Sequence, residues 1–335
     1  MMNLTNIQDI KALMAVYDIA PRKKYGQNFL IDEGVLEEIV AAAGVDDGAT
    51  VLEIGPGIGA LTRVLALHAS KVVAVEIDEG LIPVLKGTVG DCPNVTVIND
   101  DIMKTDLNAL YEEYGAVSVK DTGNGEPALA EDSGKDHPSH SGVGAQQGCG
   151  DPAPAADSDN HGRFHVVANL PYYITTPVVM KLLEHADIIS DITIMIQKEV
   201  AERMQASPGG KEYGALSLYV QYYADPQIVC HVPARCFYPA PEVDSVVIRL
   251  ASRLKPPVKV RDTDLMFKLI RGSFNMRRKT LVNAICGAGL GFSREQIEQA
   301  LAAMNKSATV RGETFTLEDF AALTDHLSHT IYSTQ

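Results

Sequence analysis

The chain has 335 residues, 46% of them hydrophobic, so it can form the core of one large α/β domain and a smaller second one. No apolar run approaches the roughly 18 residues of a membrane-spanning helix, and the N-terminus lacks the pattern of a secretory signal peptide. A formal net charge of −14 excludes indiscriminate coating of nucleic acid, although local basic clusters can still bind it.

The five cysteines are an odd number and include no Cys-x-x-Cys pair, which argues against a disulfide framework and against a structural zinc site. Three histidines in the middle of the chain lack the regular spacing of metal ligands. We therefore expect a cytoplasmic protein that holds no metal.

Short β-rich runs alternate with helical patterns through the first three quarters of the chain. The runs predict strands at Thr50–Ile54, Lys71–Ile77, Asn94–Ile98, Phe164–Asn169, Asp191–Gln197, Gln227–Val232 and Val243–Leu250. Helical patterns such as Ala60–Leu67 and Pro177–His185 lie between them, and Asp32 can cap a helix before the first strand. Continuous apolar strands alternating with helices predict a parallel sheet covered on both faces.

The chain after Leu250 is predicted to be helical. Pro256-Pro257 is typical of a linker, and three helical patterns follow it. They comprise one long stripe from Phe267 to Ile285 and two helices that open with capping boxes, Ser293-x-x-Gln296 and Thr316-x-x-Asp319. We expect residues 1–253 to form the α/β domain and residues 254–335 a small, all-helical, RNA-binding domain.

One segment, residues 116–163, breaks the α/β pattern. It has almost no large apolar side chains and carries three basic against eight acidic residues, a charge of −5. Such a composition cannot bury enough surface to offset its ordering entropy. It predicts a disordered insertion that is dispensable for chemistry.

A glycine-rich turn follows the first predicted strand. In Gly55-x-Gly57-x-x-Ala60 the glycines allow positive φ and a close approach of the backbone to a ligand. Glu76 ends the next strand 21 positions after Gly55, where a carboxylate can bind both hydroxyls of a ribose. The same pattern suits a nicotinamide dinucleotide or S-adenosylmethionine.

The third strand ends in Asn99-Asp100-Asp101. A carboxylate at that position can accept the exocyclic amine of an adenine ring, and an ordinary helix N-cap is the alternative interpretation.

The fourth strand ends in Asn169-Leu170-Pro171-Tyr172, and this motif favours methyl transfer to an amino group. The amino nitrogen of adenine is a poor nucleophile because its lone pair is delocalised into the ring. Two hydrogen-bond acceptors on its N–H bonds favour the tetrahedral geometry that it needs in order to react. The Asn169 side-chain oxygen and the backbone carbonyl of Leu170 or Pro171 can supply them, and Tyr172 can stack on the base. A simple strand-to-loop turn is the alternative.

The sequence resembles the KsgA/RsmA family of ribosomal RNA adenine dimethyltransferases, in which these motifs occur in the same order. The resemblance covers nearly the whole chain apart from the insertion. The matching stretches are Lys24–Leu30, Glu53–Gly57, Asn169–Tyr172, Gln197–Val200, Phe237–Ser245 and Phe274–Lys279. The resemblance implies a class I (Rossmann-like) seven-stranded methyltransferase sheet with a small helical domain. It also implies S-adenosylmethionine as cofactor, in a site lined by Asn28, Leu30, Gly55, Glu76, Asp101 and Asn169.

The resemblance further implies dimethylation of two adjacent adenosines in the 3′-terminal hairpin of 16S ribosomal RNA, within the immature 30S subunit, by a monomeric enzyme. Phe237, before a Pro-x-Pro turn, is then the second wall of a base pocket, with a core aromatic as the alternative. The side chains of Arg277, Arg278 and Lys279 suit RNA phosphates.

Three rivals remain at this point. One is a 23S ribosomal RNA methyltransferase of the macrolide-resistance type, which the Asn-Leu-Pro-Tyr motif disfavours. Another is a non-catalytic ribosome assembly factor with a relic pocket, against which the intact motif also argues. The third, a dehydrogenase, lacks a catalytic His or a Tyr-x-x-x-Lys pattern.

Overall fold

The computed structural model describes residues 2–22, 25–115 and 162–332, with side chains to residue 328. The strands are β1 (Phe29–Leu30), β2 (Thr50–Ile54), β3 (Lys71–Glu76), β4 (Val95–Asn99), β5 (Phe164–Asn169), β6 (Ile189–Gln197), β7 (Ala224–Val232), β8 (Phe237–Tyr238) and β9 (Ser245–Ser252). The helices are α1 (Ile7–Val16), α2 (Glu33–Ala42), α3 (Ala60–His68), α4 (Ile82–Thr88), α5 (Leu107–Tyr114), α6 (Thr175–Leu183), α7 (Lys198–Gln205), α8 (Ala215–Tyr223), α9 (Thr263–Asn275), α10 (Leu281–Gly287), α11 (Arg294–Ala303) and α12 (Leu317–Tyr332).

Seven strands form one sheet in the order β4-β3-β2-β5-β6-β9-β7, which confirms the predicted seven-stranded, Rossmann-like architecture. The five strands from β4 to β6 are parallel, but β9 runs antiparallel to both of its neighbours. The prediction of a parallel sheet is therefore wrong for this edge. The connection from β7 to β9 contains no crossover helix, and a short connection of that kind joins antiparallel strands.

Helices cover both faces of the sheet because its strands are apolar on both faces. Adjacent residues of β2 point to different cores: Val51 packs with α2 and α3, whereas Leu52 packs with α5 and α6. The core that contains Leu52 also includes buried side chains of the C-terminal helices, such as Phe320 and Leu327. Because the helices share this core with the sheet, the domain division at residues 253 and 254 stays a prediction.

The prediction of one long helix from Phe267 to Ile285 is wrong, because this region forms two helices, α9 and α10. Thr280 interrupts the pattern because its hydroxyl accepts the backbone N–H of Asn283 and begins a new helix. The two predicted capping boxes are confirmed by reciprocal hydrogen bonds, at 3.2 and 2.7 Å for Ser293 with Gln296, and at 3.2 and 3.3 Å for Thr316 with Asp319.

The predicted disordered insertion lies outside the described residues, except for its last two positions. Gly162 and Arg163 form the turn before β5, and the Arg163 guanidinium donates a 3.1 Å hydrogen bond to the carbonyl of Ala186. The prediction of disorder is therefore wrong for these two residues. Within the described ranges, no helix combines the length and apolarity needed to cross a membrane.

Gly59 at the N-terminus of α3 determines how closely α3 packs on α4. Its φ is +89°, and a Cβ added there would lie 2.8 Å from Val89 Cγ1. We expect Gly59→Ala to lower the unfolding free energy by about 2–4 kcal/mol, from backbone strain plus overpacking. Urea denaturation would measure the loss.

Gly44→Ala is the matched control, since Gly44 also has positive φ (+60°) but an added Cβ would meet nothing within 4 Å. It should cost only the backbone term, about 1 kcal/mol. Equal losses for the two variants would contradict the packing role of Gly59.

Candidate active site

A cleft opens where the carboxyl ends of the central parallel strands meet, the usual ligand site of an open α/β sheet. It brings together residues predicted from six separate segments of the sequence: Asn28, Leu30, Gly55, Gly57, Glu76, Asp101, Asn169, Leu170, Pro171, Tyr172 and Phe237. The basic residues Arg277, Arg278 and Lys279 lie outside it.

Glu76 is the buried acidic group at the end of β3. One carboxylate oxygen accepts the backbone N–H of Gly57 at 3.1 Å, and the other accepts that of Asp78 at 2.8 Å. Burial raises the pKa of Glu76, and these two N–H donors oppose the rise. Gly55, with φ +71°, has no atom within 4 Å of an added Cβ, so the turn leaves room beside this carboxylate.

Asp100 and Asp101 follow β4 and both line the cleft. Asp100 accepts the Thr105 hydroxyl at 2.7 Å and the Asp101 N–H at 2.8 Å, and these bonds lower the pKa of Asp100. The Asp101 carboxylate accepts the N–H of Met103 at 3.0 Å. Both carboxylate oxygens of Asp100 thus accept hydrogen bonds within the loop, whereas the Asp101 carboxylate accepts one on Oδ1 and has Lys104 Nζ 3.6 Å from Oδ2.

Asn169 ends β5, and its side-chain orientation is fixed by the N-terminal segment. Its amide nitrogen donates to the Asn28 carbonyl at 3.1 Å, which leaves the amide oxygen as an acceptor. The Pro171 carbonyl already accepts the Ile174 N–H at 3.2 Å and the Thr175 hydroxyl at 3.3 Å. Of the two backbone acceptors considered from the sequence, the Leu170 carbonyl is therefore the one less engaged by the chain.

Two aromatic residues from distant segments line the same cleft. The Tyr172 hydroxyl lies 3.0 Å from the Ser245 hydroxyl at the start of β9. Phe237 is 4% exposed and pairs with Leu30 in the two-stranded antiparallel ribbon of β1 and β8. Phe237 therefore belongs both to the apolar core and to the wall of the cleft.

Residues 25–30 line one side of the cleft and are called the N-terminal wall below. This wall is attached to the end of β3 through Asp78, which is 2% exposed. Its carboxylate accepts hydrogen bonds from Arg22 Nη1 at 2.7 Å and from Gln27 Nε2 at 2.9 Å. The Gln27 side-chain oxygen accepts the Arg22 N–H at 2.8 Å, which closes the arrangement. The segment that carries Asn28 and Leu30 is thereby held against the loop that follows Glu76.

Glu53 is a cleft residue that the sequence analysis quoted in a motif but did not assign. It is 1% exposed, and its Oε2 has no hydrogen-bond partner among the described residues. Burial raises the pKa of Glu53 to about 8, the Thr62 hydroxyl lowers it, and the charge of Glu76 raises it further. A lone acidic residue within an otherwise apolar buried strand is the signal that could have identified it.

A second, basic groove lies between α7, α8 and α9. Arg277 borders it and is held by the Lys211 carbonyl at 2.8 Å and by Glu313 at 3.8 Å. The other cations of the groove are Arg203, Lys268 and Arg271, which were not predicted from the sequence. Lys268 and Arg271 are three positions apart on the exposed face of α9, a spacing that could have revealed them.

Arg278 and Lys279 are exposed in the turn between α9 and α10. Among the described residues no cluster of three or more His, Cys, Asp or Glu side chains could hold a metal ion.

The chain is similar to known proteins over nearly its whole length. The model of the ribosomal RNA adenine dimethylase family matches residues 20–322. The ribosomal RNA small subunit methyltransferase A of Lachnoclostridium phytofermentans is 47% identical over 306 residues, covering 91% of this chain and 90% of that protein. The protein of the same name from Clostridioides difficile is 41% identical over 324 residues, covering 96% of each.

Solved structures agree on the fold. A dimethyladenosine transferase from Plasmodium falciparum superposes with a TM-score of 0.63 at 24% identity, over 88% of this chain and 95% of that one. The 23S rRNA methyltransferase ErmE gives 0.58 at 22% identity, over 90% and 100%. At these identities the likeness establishes a shared architecture.

The raised pKa of Glu53 predicts how the protein's stability depends on pH. Its carboxyl is neutral in the folded protein up to about pH 8 but ionises near 4.5 when unfolded. The stability that the neutral form contributes is complete below pH 4.5 and is lost as pH rises through about 8. We expect Glu53→Gln to have the same melting temperature as the parent at pH 4.5 and a higher one at pH 8.5. The difference at pH 8.5 should correspond to roughly 3–5 kcal/mol of unfolding free energy.

The exposed Glu112→Gln on α5 supplies the background for this comparison. Thermal unfolding of the three proteins across this pH range is the measurement. Parallel curves for the parent and for Glu53→Gln would contradict the assignment.

Proposed function

This chain belongs to the ribosomal RNA adenine dimethylase family, and we propose that it dimethylates N6 of two adjacent adenosines in the 3′-terminal hairpin of 16S ribosomal RNA, within the immature 30S subunit. Curated relatives at 39–47% identity carry the name of the small-subunit enzyme. The observation that carries the proposal is the end of β5. There the Asn169 amide oxygen and the Leu170 carbonyl stand as acceptors at a cleft.

The methyl donor is S-adenosylmethionine, which supplies an activated methyl group on a sulfonium when bound. The residues of the cleft fit such a molecule. Glu53 Oε2 is a buried acceptor without a partner among the described residues, and the turn at Gly55 is open to the cleft. Acidic groups suit the cationic donor, since it has no phosphate that they would repel.

The assignment of side chains to this donor is part of the proposal. Glu76 binds the ribose hydroxyls, and Asp101 accepts the amine of the adenine ring. The backbone at Gly55 and Gly57 borders the methionine portion. The N-terminal wall, with Asn28 and Leu30, covers the donor from the other side; its attachment through Asp78 supports this role.

Catalysis by the chain consists of orienting the amino group that receives the methyl group. We propose that, in the first transfer, the Asn169 oxygen and the Leu170 carbonyl accept hydrogen bonds from its two N–H groups, so that the nitrogen lone pair points along the line of transfer. In the second transfer the one remaining N–H donates to one of these acceptors. The hydrogen bond from Asn169 to the Asn28 carbonyl holds the amide in that orientation. Pro171 shapes the turn, and Tyr172 and Phe237 form the two walls around the flipped base.

Docking of the ribosomal RNA is assigned to the basic groove and the adjacent turn. Phosphate contacts position an RNA without reading its sequence, and cations on a rigid surface provide them. Arg203, Lys268, Arg271 and Arg277 line the groove, and Arg278 and Lys279 lie beside it. This local charge offsets the chain's overall charge of −14 where the RNA approaches.

We also propose a monomeric enzyme of the cytoplasm. Every group assigned to the cleft comes from one chain, and the four cysteines within the described part of the sequence are free thiols. The rival activity on 23S ribosomal RNA rests on a structural likeness at 22% identity, which supports the fold and not the substrate.

The direct test is methyl transfer from labelled S-adenosylmethionine to 30S subunits that lack the modification. The parent should yield N6,N6-dimethyladenosine in the digested 16S ribosomal RNA. Asn169→Ala should reduce the rate by about 10²- to 10³-fold, because one of two acceptors is lost, while calorimetry shows cofactor affinity nearly unchanged.

Asn108→Ala, on the exposed face of α5, is the matched control and should keep the parental rate. The same assay run on 50S subunits tests the macrolide-resistance rival, which labelling of their 23S ribosomal RNA would favour. A fully active Asn169→Ala would remove that residue from the mechanism.

The salt dependence of RNA binding tests the basic surface. Replacing both Arg278 and Lys279 by Ala should reduce the slope of log affinity against log salt by about 2, because two phosphate contacts are lost. Arg277→Ala should reduce the slope less, since that side chain is already held by Glu313 and the Lys211 carbonyl. Filter binding between 50 and about 200 mM salt gives the slopes; an unchanged slope for the double variant would mean a merely solvated turn.

A further inference from the structure

A large aromatic side chain stands exposed at the mouth of the cleft. Tyr173 is 59% exposed, although it directly follows Tyr172 and lines the same cleft. Ile77 and Met103, 42% and 39% exposed, also border the opening. The rim is therefore apolar, whereas its interior carries the acidic groups described above.

Tyr173 is held on a rigid turn. The Ile174 N–H donates to the Pro171 carbonyl at 3.2 Å, which makes Tyr172 and Tyr173 the two central residues of the turn. The Thr175 hydroxyl donates to the same carbonyl at 3.3 Å, and α6 begins at that residue. The backbone beneath the ring is thus fixed by β5 on one side and by α6 on the other.

The two tyrosines point to opposite walls of the cleft. The Tyr172 hydroxyl lies 3.0 Å from the Ser245 hydroxyl, at the start of β9. The Tyr173 ring instead neighbours the N-terminal wall, because a Cβ added at Gly26 would lie 3.9 Å from Tyr173 Cδ1. The two rings thus have different neighbours, and the exposed Tyr173 ring lies beside the base pocket assigned to Tyr172 and Phe237, on the same cleft.

We propose that Tyr173 is the stacking platform for the nucleotide next to the target adenosine, an inference that rests on the proposed function. When the target base leaves the RNA stack, its neighbour loses one stacking partner. An exposed ring one residue away from the base pocket can replace that partner. Such a contact is insensitive to base identity, so it can hold the neighbouring nucleotide on one side of the target whichever of the two adjacent adenosines occupies the pocket.

Fluorescence of 2-aminopurine tests this contact without catalysis. The probe is a hairpin RNA with 2-aminopurine on the 5′ or the 3′ side of the target adenosine, mixed with enzyme and S-adenosylhomocysteine. Stacking quenches the fluorophore, so the parent and Tyr173→Phe should quench one of the two probes. Tyr173→Ala should leave that probe bright and weaken RNA affinity by about 5- to 100-fold.

Leu254→Ala is the matched control, because Leu254 is equally exposed (60%) but lies outside the cleft. It should quench and bind like the parent. Quenching by Tyr173→Ala equal to the parent's would overturn the proposal, as would a loss of affinity in Tyr173→Phe as large as in Tyr173→Ala.

An abasic residue at the quenched position separates base stacking from a backbone contact. Removing the base should weaken binding to the parent by the same factor, yet leave the affinity of Tyr173→Ala unchanged. An equal loss in both proteins would assign Tyr173 to another role. Failure of the parent to methylate 30S subunits that lack the modification would overturn the proposed function and this inference together, whereas hairpin binding without quenching would overturn only the inference.

Discussion

The Glu76 carboxylate joins two loops that border the proposed site of the methyl donor. It accepts N–H groups from Gly57 in the turn after β2 and from Asp78 in the loop after β3. A buried carboxylate without such donors would be strongly penalised, so the two loops and the side chain stabilise one another. Asp78 extends the connection to Gln27, and hence to the N-terminal wall. The geometry of the whole cleft depends on this chain of hydrogen bonds.

Much of the fold could be predicted from local pattern, because each signal acts within a few residues. β2 and β5 begin and end where the apolar runs do, and the capping boxes mark the starts of α11 and α12. The direction of β9 could not be predicted in this way. An apolar run looks the same in either direction, and only the connection that precedes it decides. The break before α10 was missed because the apolar period continues across it, although Thr280 carries the capping signal.

In the candidate site, too, some groups could be predicted from local sequence and others could not. The acidic and amide groups that end β3, β4 and β5 could be grouped from sequence, since the carboxyl ends of parallel strands meet at one edge. The basic groove could not, because Arg203 on α7 and Arg271 on α9 become neighbours only through packing. Glu53 could have been noticed as a lone acidic residue in an apolar strand, but the absence of a partner for its Oε2 within the described residues is visible only in the structure.

The ribbon of β1 and β8 has a consequence for assembly of the enzyme. It pairs Leu30 with Phe237, two positions separated by most of the α/β region. Joining segments so far apart costs chain entropy that two paired residues cannot repay alone. The ribbon forms at least cost after the large sheet has already brought both segments together. We therefore expect the ribbon, and with it the two sides of the cleft that carry Leu30 and Phe237, to form late in folding, so that a chain with a partly formed sheet would lack the cleft.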